Sequence, residues 1–314
     1  MAVSERITDA YVALTEDVAL VDRSERGKLA LTGADAKAFL NGQVSNDVEA
    51  LEPGTGCYAA LLTNKGKMLG DVRVIDTGAE LWLDTERVAL QALFDTIRRG
   101  TVGWDVQLHK RTLQQALLSL VGPRAADAVG GEIGPEYANR SGEIGGATVL
   151  LIATDVGVDI VCATEDAAAV RAALALPEAP EAAAEVVRVE SGRPRYGLDL
   201  DDTTIPQEAG LNERAVSFTK GCYVGQETVA RLHYRGKPNR SLRGLRLSEA
   251  VASGTAVLLG EREVGRVGSS VVSPRFGPIG LAVVRREAEV GDALAAGSAG
   301  AVLAELPFGV GGAA

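Results

Sequence analysis

The same order of predicted strands and helices occurs twice before Leu176, and this repetition limits the fold more than any other feature. The first set comprises a strand at 28–31, a helix that starts from Thr32-Gly-Ala-Asp and ends near Gly42, a hairpin of strands 57–62 and 68–75, a short strand at 81–83 and a helix at 86–99. The second set comprises a strand at 117–121, a short helix opened by Gly122-Pro-Arg, a hairpin of strands 148–152 and 158–162, and an alanine-rich helix that Thr164 caps. No letter-level repeat accompanies this order, so the pattern alone predicts two related α+β units.

The last quarter of the chain has a different pattern. From Leu242 onward, short β-rich runs alternate with glycine turns, as in LRGLRL, AVLLG, REVGRVGSSVVS and GPIGLAVV. This spacing is typical of a small antiparallel barrel. The composition of the segment from Arg235 to Arg240 predicts a linker. We therefore predict an α+β fold with two related, intertwined units in residues 1–235 and a C-terminal antiparallel β-barrel domain in residues 236–314.

Composition excludes several classes of protein. The net charge of −10 argues against nonspecific binding of nucleic acid over the whole surface. Three distant cysteines without a CxxC pair, and only two histidines, argue against a resident metal site and fit a reducing compartment. The N-terminus lacks a signal-peptide apolar core, and no apolar run approaches the ~18–20 residues that span a bilayer. We expect a cytoplasmic protein without a membrane partner.

The octapeptide KGCYVGQE, Lys220 to Glu227, is the densest group of special residues in the chain. Gly221 and Gly225 permit backbone angles or close approaches that a side chain forbids. The ammonium of Lys220 could favour the thiolate of Cys222. The alternative interpretation is a surface turn that leads into a helix, with Cys222 as a small buried hydrophobe. We favour a functional loop with Cys222 and Lys220 as its catalytic candidates.

This octapeptide resembles the motif of the YgfZ family of folate-binding proteins, which are relatives of the glycine-cleavage aminomethyltransferase. Other segments in the order expected of that family are LVDRS from Leu20, FLNGQVSND from Phe39, RVESGRPRYGLDL from Arg188, IPQEAGL from Ile205 and SPRFG from Ser273. The resemblance covers nearly the whole chain. It implies a duplicated folate-binding fold with a C-terminal barrel, a tetrahydrofolate or derivative as cofactor, and a role in iron–sulfur cluster maturation.

A pterin ring presents amide-like donors and acceptors on one edge, and a carboxylate on a strand beside an apolar wall can accept two of its N–H groups. Asp159, in Gly157-Val-Asp-Ile160, lies between apolar neighbours and resembles the acidic residue in the Gly-Tyr-Glu-Ile segment of the aminomethyltransferase. Arg188, Glu190 and Tyr196 are the next cofactor-binding candidates. Each of these residues could instead be an ordinary strand or helix residue without a ligand.

The sequence of the predicted hairpin of strands 57–62 and 68–75 differs from that of the aminomethyltransferase at one position. That enzyme carries a GGxxDDL segment, whose first aspartate looks like the catalytic acid, whereas here Gly70 precedes Asp71. Glycine has no group that can hold a proton, so Gly70 argues against glycine-cleavage activity. Asp71 is a candidate folate contact, although a solvent-facing hairpin aspartate is equally ordinary.

Eight basic residues lie between Lys220 and Arg246, against Glu227 as the one acid. This strip could meet an anion such as the glutamyl tail of a folate, with Arg231 as a contact, or it could be a solvated linker face. Tyr223, Gln226 and Glu227 complete the predicted cofactor-binding residues, and Gln226 and Glu227 could also order the loop through its amides. Tyr223 and Tyr234 are too few for a single-strand stacking platform, so we do not expect direct binding of nucleic acid.

The leading hypothesis is a folate-binding accessory protein that supports iron–sulfur cluster assembly or repair, and through it cluster-dependent enzymes including those that modify tRNA. Its partners would be folate and iron–sulfur assembly factors or client proteins. The folate would occupy the hollow between the two α+β units, with the barrel closing it and Cys222 at the rim. The alternatives are a folate-dependent one-carbon transferase of the aminomethyltransferase or demethylase type, and an RNA-binding module that uses the basic strip.

Overall fold

A computed structural model describes residues 3–309, and the chain divides into two compact bodies. The two-sheet body comprises the residues up to Leu62 together with Leu69–Ala184 and Arg214–Val224. The barrel body comprises Thr63–Met68, Glu185–Glu213 and the residues from Gly225 onward. Among the described residues, no helix is long and apolar enough to cross a membrane.

Eight α-helices lie within the described residues: α1 (Val3–Glu16), α2 (Ala36–Gln43), α3 (Leu90–Gly100), α4 (Ala125–Ala128), α5 (Ala167–Leu174), α6 (Glu181–Glu190), α7 (Asn212–Ala215) and α8 (Gln226–Arg235). The strands of the two-sheet body are β1 (Ala19–Asp22), β2 (Gly27–Thr32), β3 (Thr55–Leu62), β4 (Met68–Asp76), β5 (Leu81–Thr85), β6 (Gln107–Lys110), β7 (Gln115–Val121), β8 (Asn139–Ile144), β9 (Ala147–Thr154) and β10 (Gly157–Ala163). Those of the barrel are β11 (Arg240–Leu247), β12 (Ala256–Leu259), β13 (Arg262–Ser273), β14 (Gly277–Arg285), β15 (Ala293–Ala296) and β16 (Ala299–Ala304).

The two sheets of the first body have matching strand orders, β6-β2-β5-β4-β3 and β1-β7-β10-β9-β8. In each sheet an edge strand pairs with the first strand of a predicted set, and the three strands that follow add on its other side. The edge strands are exchanged: β1 directly precedes β2 but pairs with β7, and β6 directly precedes β7 but pairs with β2. The predicted α+β fold with two related units is confirmed, because both sheets follow one topology.

Strand alternation gives each sheet a helix side and an inner side. On β4, Val72 and Val74 pack in one core with residues of α2 and α3, so Asp71, Arg73 and Ile75 point the other way. On β10, Val158 and Ile160 likewise pack in a core with Val170 of α5.

The inner sides of the two sheets meet in a third cluster of apolar side chains, comprising Ile75, Trp82, Leu117, Ile152 and Val161. The first two come from one sheet and the other three from the second, so the sheets face each other and the helices cover their outer sides. The inner side is therefore where the alternate residues of β4 and β10 lie.

The barrel closes in the order β11-β14-β13-β12-β15-β16, and every pair for which a register is defined is antiparallel. Its interior is aliphatic, with Leu245, Val257 and Leu303 fully or almost fully buried. The predicted barrel is confirmed. Helix α8 ends at Arg235 and β11 begins at Arg240, while the barrel body also takes in two earlier segments; the division at 235/236 stays a prediction about folding domains.

In the two-sheet body, three strands were not predicted from the sequence as such, and one helix starts later than predicted. β6 (QLHK) and β8 (NRSGEI) are polar edge strands, and β1 has only four residues, so none has a strong apolar alternation. Helix α3 begins at Leu90 and not at Glu86, because Glu86 and Arg87 form turns whose carbonyls accept from Ala89 and Leu90.

Candidate functional site

Asp159 lies on the inner side of the second sheet, with only 3% of its surface exposed. Ser119, its register partner on β7, donates a hydrogen bond from Oγ to Oδ1 of Asp159 at 2.5 Å. Arg73 of the first sheet donates from Nη1 to Oδ2 at 2.5 Å. Since a buried carboxylate without hydrogen-bond donors is energetically costly, these two contacts stabilise Asp159 between the sheets.

Arg73 also binds a second buried carboxylate. Its Nε donates to Oδ2 of Asp84, its register partner on β5, at 2.6 Å. Arg26 donates to both oxygens of Asp84, with Nε 2.9 Å from Oδ1 and Nη2 2.9 Å from Oδ2. Burial alone would raise the pKa of Asp84, but the two guanidinium groups hold it below its ordinary value. The network from Arg26 through Asp84 and Arg73 to Asp159 therefore joins the two sheets by charged hydrogen bonds.

Asp71 lies on the same side of β4 as Arg73 and is also buried. Tyr58 of β3 donates from its hydroxyl to Oδ2 of Asp71 at 2.6 Å. Burial, together with the nearby carboxylates of Glu86 and Asp84, raises the pKa of Asp71 to about 6, although the hydrogen bond from Tyr58 and the charge of Arg26 act in the opposite direction. A carboxyl group that titrates near neutral pH can hold or release a proton, which is the property of a general acid or base.

We call this group the inter-sheet polar cluster; its members are Arg26, Tyr58, Asp71, Arg73, Asp84, Ser119 and Asp159. Two of them, Asp71 and Asp159, were predicted from the sequence, and the structure brings both to one place. The others were missed. The segment MLGDVRVID carried a signal for Arg73. Val72 and Val74 pack in the core on one face of this buried strand, so the charged Arg73 lies on the other face.

Gly70, in contrast, faces the helix side. A Cβ atom at this position would lie 2.7 Å from Cβ of Ala89, a distance that real Cβ contacts do not show. Neighbouring residues of a strand point to opposite faces, so an acid at position 70 would not share the inter-sheet polar cluster with Asp71. The expectation that Gly70 removes an acid from the site does not fit this geometry, because the acid that faces the cluster is present.

The first part of the KGCYVGQE loop is anchored by Lys220. Its Nζ donates to the carbonyl oxygens of Asn41 at 2.5 Å, Val44 at 3.0 Å and Asn46 at 2.7 Å. An ammonium has three N–H donors, and these three bonds use all of them. Burial lowers the pKa of Lys220 to about 8. Lys220 thus ties the loop to the end of α2. That its charge favours the thiolate of Cys222 stays a prediction.

Cys222 is exposed, whereas the next residue, Tyr223, is buried with 7% of its surface exposed. The Tyr223 ring lies with its centroid 5.2 Å from Nζ of Lys220, and burial raises its pKa to about 12. Val224 N–H donates to the carbonyl of Gly42 at 3.2 Å, and Gly225 then adopts a left-handed φ of 86° before α8 begins. The loop is indeed a surface turn leading into a helix, but Cys222 is not the small buried hydrophobe of the alternative interpretation.

Six of the predicted cofactor-binding residues belong to the barrel body. Arg188 of α6 makes hydrogen bonds to Glu185, Asp199, Ser269 and the carbonyl of Arg193. The others are Glu190, which accepts from Ser273 Oγ; Tyr196, whose hydroxyl lies 3.5 Å from the carbonyl of Met68; Gln226 at the start of α8; and Glu227 and Arg231, an exposed ion pair at 3.2 Å.

The basic strip is partly neutralised within the molecule. Arg240 pairs with Glu208 at 2.8 Å, Arg231 pairs with Glu227, and Lys220 is bound by carbonyl oxygens. The guanidinium carbon of Arg246 lies 5.8 and 5.9 Å from the ring centroids of Phe276 and Phe308. These four basic side chains therefore have partners within the protein that weaken a continuous phosphate-binding surface.

Comparison with known proteins identifies the family. The sequence model of the GCVT N-terminal domain matches residues 2–220, about two thirds of the chain. An uncharacterized protein of Haemophilus influenzae is 30% identical over 213 residues, which are 67% of this chain and 67% of that protein. The chain belongs to the GCVT N-terminal domain family. A folate-related role, with a folate cofactor, is consistent with this membership.

More distant relatives extend over more of the chain. An aminomethyltransferase of Geobacillus kaustophilus is 27% identical over 302 residues, covering 90% of this chain and 83% of that one. The crystal structure of the glycine cleavage system aminomethyltransferase T of Bartonella henselae superposes with a TM-score of 0.86 at 21% identity, covering 96% of this chain and 89% of that one. The latter likeness shows that the two chains share a fold.

Proposed function

We propose that this protein is a member of the YgfZ branch that binds a tetrahydrofolate at the inter-sheet polar cluster. It would act as a folate-dependent accessory protein in iron–sulfur cluster assembly or repair, and so support cluster-dependent enzymes including those that modify tRNA. The observation that carries the folate-binding part is the state of Asp159, a buried carboxylate that receives one hydrogen bond on each oxygen.

A carboxylate offers about four acceptor positions, and Ser119 and Arg73 occupy two of those on Asp159. One position remains on each oxygen, which matches two adjacent N–H donors on the edge of a pterin. Ile152, the register partner of Asp159 on β9, and Val161 supply an apolar wall beside it. The donors and acceptors present therefore suit a pterin ring, whose one-carbon chemistry the folate itself would supply.

The accessory role is supported by the KGCYVGQE loop. Lys220 uses all its donors to fix the loop to α2, and Tyr223 is buried beneath it, so the backbone presents Cys222 outward. An exposed thiol on an anchored turn can reach a partner protein or a transient cluster ligand, whereas a packed thiol cannot. This division assigns folate binding to Asp159 and the cellular role to Cys222.

Calorimetric titration with tetrahydrofolate tests the binding site. We expect Asp159→Ala to weaken binding about 100-fold, because two charge-assisted hydrogen bonds are lost. Asp127→Ala, which removes an exposed aspartate of the same body, is the matched control and should bind like the parent protein. A parent protein that does not bind tetrahydrofolate, or an Asp159→Ala variant with parental affinity, would refute the proposed site.

A complementation assay tests the role of the thiol. Cells that lack the native gene would carry either the parent or Cys222→Ala, and the activity of their iron–sulfur enzymes would be measured. We expect Cys222→Ala to fail in cells while its affinity for tetrahydrofolate stays within about twofold of the parent value. If Cys222→Ala supports the enzymes fully but cannot bind folate, the assignment of roles is reversed.

A second candidate is a folate-dependent one-carbon transferase, and Asp71 favours it. Asp71 is buried on the inner side, accepts a hydrogen bond from Tyr58 and has a pKa of about 6. Incubation with tetrahydrofolate and an aminomethyl donor separates this function from the accessory role. Formation of methylenetetrahydrofolate over many turnovers, lost in Asp71→Asn, would favour the transferase.

A further inference from the structure

Arg73 has hydrogen-bond donors to spare within the inter-sheet polar cluster. A guanidinium carries five N–H groups, and Arg73 directs Nε to Asp84 and Nη1 to Asp159. Within residues 3–309, its Nη2 has no acceptor. The side chain is 14% exposed, compared with 4% for Asp159 and none for Asp84. A ligand that reaches Asp159 therefore also meets Arg73, because the two side chains are in contact.

The two side chains together present an ordered set of polar groups. The two oxygens of Asp159 each keep one acceptor position, and the spare N–H groups of Arg73 lie beside Oδ2. Asp84 and Arg26 hold the other side of the Arg73 guanidinium, which limits its freedom to turn away. The two contacting side chains thus offer two unused acceptor positions and unused N–H donors.

We infer that Arg73 is a specificity-determining residue that donates a hydrogen bond to the 4-oxo oxygen of the pterin and so selects 4-oxo over 4-amino pterins. The inference rests on the proposed folate site. The edge of a 4-oxopterin carries a donor on the 2-amino group, a donor on N3 and an acceptor on O4, which is the complement of the set formed by Asp159 and Arg73.

A 4-amino pterin reverses two of these three groups. Its N3 has a lone pair that would face the carboxylate of Asp159, and its 4-amino group would direct N–H groups at the N–H groups of Arg73. A site built to hydrogen-bond a ligand rejects an analogue that leaves its buried polar groups unpaired. Specificity would come from this mismatch as much as from the contacts to the preferred ligand.

The test compares tetrahydrofolate with its 4-amino analogue, tetrahydroaminopterin, by calorimetry on the full-length protein. We expect the parent to bind tetrahydrofolate at least about tenfold more tightly, as one mismatched charged hydrogen bond implies. Arg73→Gln and Arg73→Lys should reduce this ratio to about twofold or less. Lysine keeps the charge but not the planar fork, so both variants should lose discrimination. Thermal melting of each variant would confirm that it is folded.

The outcomes separate this inference from the proposed function. Suppose that the parent binds tetrahydrofolate and that Asp159→Ala abolishes this binding. If the parent then does not prefer tetrahydrofolate to tetrahydroaminopterin, or if the Arg73 variants keep the parental preference, the role of Arg73 is refuted and the folate site stands. A parent that binds neither compound overturns both. Equal affinity of the parent for the two compounds already contradicts the inference, without any variant.

Discussion

Arg73 and Arg188 are both largely buried arginines that bind two carboxylates, and they differ in how many of their N–H donors are used within the protein. Arg188 of the barrel body makes five hydrogen bonds, to both oxygens of Glu185, to Asp199, to Ser269 and to a carbonyl. That number equals the donors of a guanidinium. Arg73 of the two-sheet body makes two. Arg188, but not Arg73, was predicted from the sequence as a cofactor contact.

The difference separates structural from ligand-binding polar clusters. A side chain whose donors are all used within the protein has none to offer a ligand without breaking an existing bond, and breaking it leaves a buried charge. A side chain with spare donors on an accessible side can add a ligand at little cost. By this criterion we propose that Arg188, a predicted cofactor contact, stabilises the barrel body and that Arg73 takes part in recognition.

The largest effect is expected from Arg188→Ala. The side chain of Asp199 is completely buried and would lose its cationic partner, so we expect the free energy of unfolding to fall by about 3–5 kcal/mol. Urea denaturation of the variant and the parent measures this. Arg231→Ala, which breaks an exposed pair with Glu227, is the control and should change stability by less than about 0.5 kcal/mol. The comparison fails if Arg188→Ala keeps parental stability but loses affinity for tetrahydrofolate.

A pH-dependent effect is expected from Asp71→Asn. The pKa of Asp71 is about 6 in the folded protein against an ordinary value of 3.8, so between these values the folded state binds more protons than the unfolded state. This group therefore lowers stability as pH rises from about 4 to about 6. Relative to the parent, Asp71→Asn should gain about 2.5 kcal/mol between pH 4 and pH 7.5.

Urea unfolding of both proteins at a series of pH values gives the difference directly. Asp127→Asn, a change at an exposed aspartate, should show no such trend and controls for the loss of one charge. A constant difference between Asp71→Asn and the parent across this range would mean that Asp71 is not a buried acid of raised pKa.

The smallest effects are expected in the KGCYVGQE loop. They follow from the same criterion, which asks whether the donors of a side chain are all used within the protein. Lys220→Met should destabilise the protein by about 1–2 kcal/mol, because three carbonyl oxygens lose their donor. Cys222→Ser, at an exposed position, should stay within about 0.5 kcal/mol of the parent. Thermal or urea unfolding compares the two. Parental stability of Lys220→Met would show that the ammonium does not anchor the loop.

Much of the fold could be predicted because it depends on local patterns. The hairpin with Gly66 at a φ of 72°, the helix that buries Phe39 and Leu40, and the glycine-separated barrel strands follow from alternation and turn chemistry. The exchange of β1 and β6 between sheets could not be predicted, because it is a choice of pairing partner between segments far apart in the chain.

The candidate site was predicted less completely. Asp159 and Asp71 stood out as acids in apolar strands, and the cysteine motif stood out by its composition. The partners that set their chemistry, such as Ser119 and Arg73, come from other strands and carry no local signal of proximity. The misplaced expectation for Gly70 arose because adjacent letters suggest one site, whereas strand geometry separates them to opposite faces.

Which residues can be charged, which can form turns, and which faces of the strands must be buried follow from the amino-acid sequence, since these properties belong to each side chain and its near neighbours. Long-range packing determines that Lys220 donates all its N–H groups to carbonyl oxygens, whereas Arg73 retains N–H groups without an acceptor among the described residues. A hydrogen bond acts over about 3 Å, so which donors remain free depends on packing between distant segments.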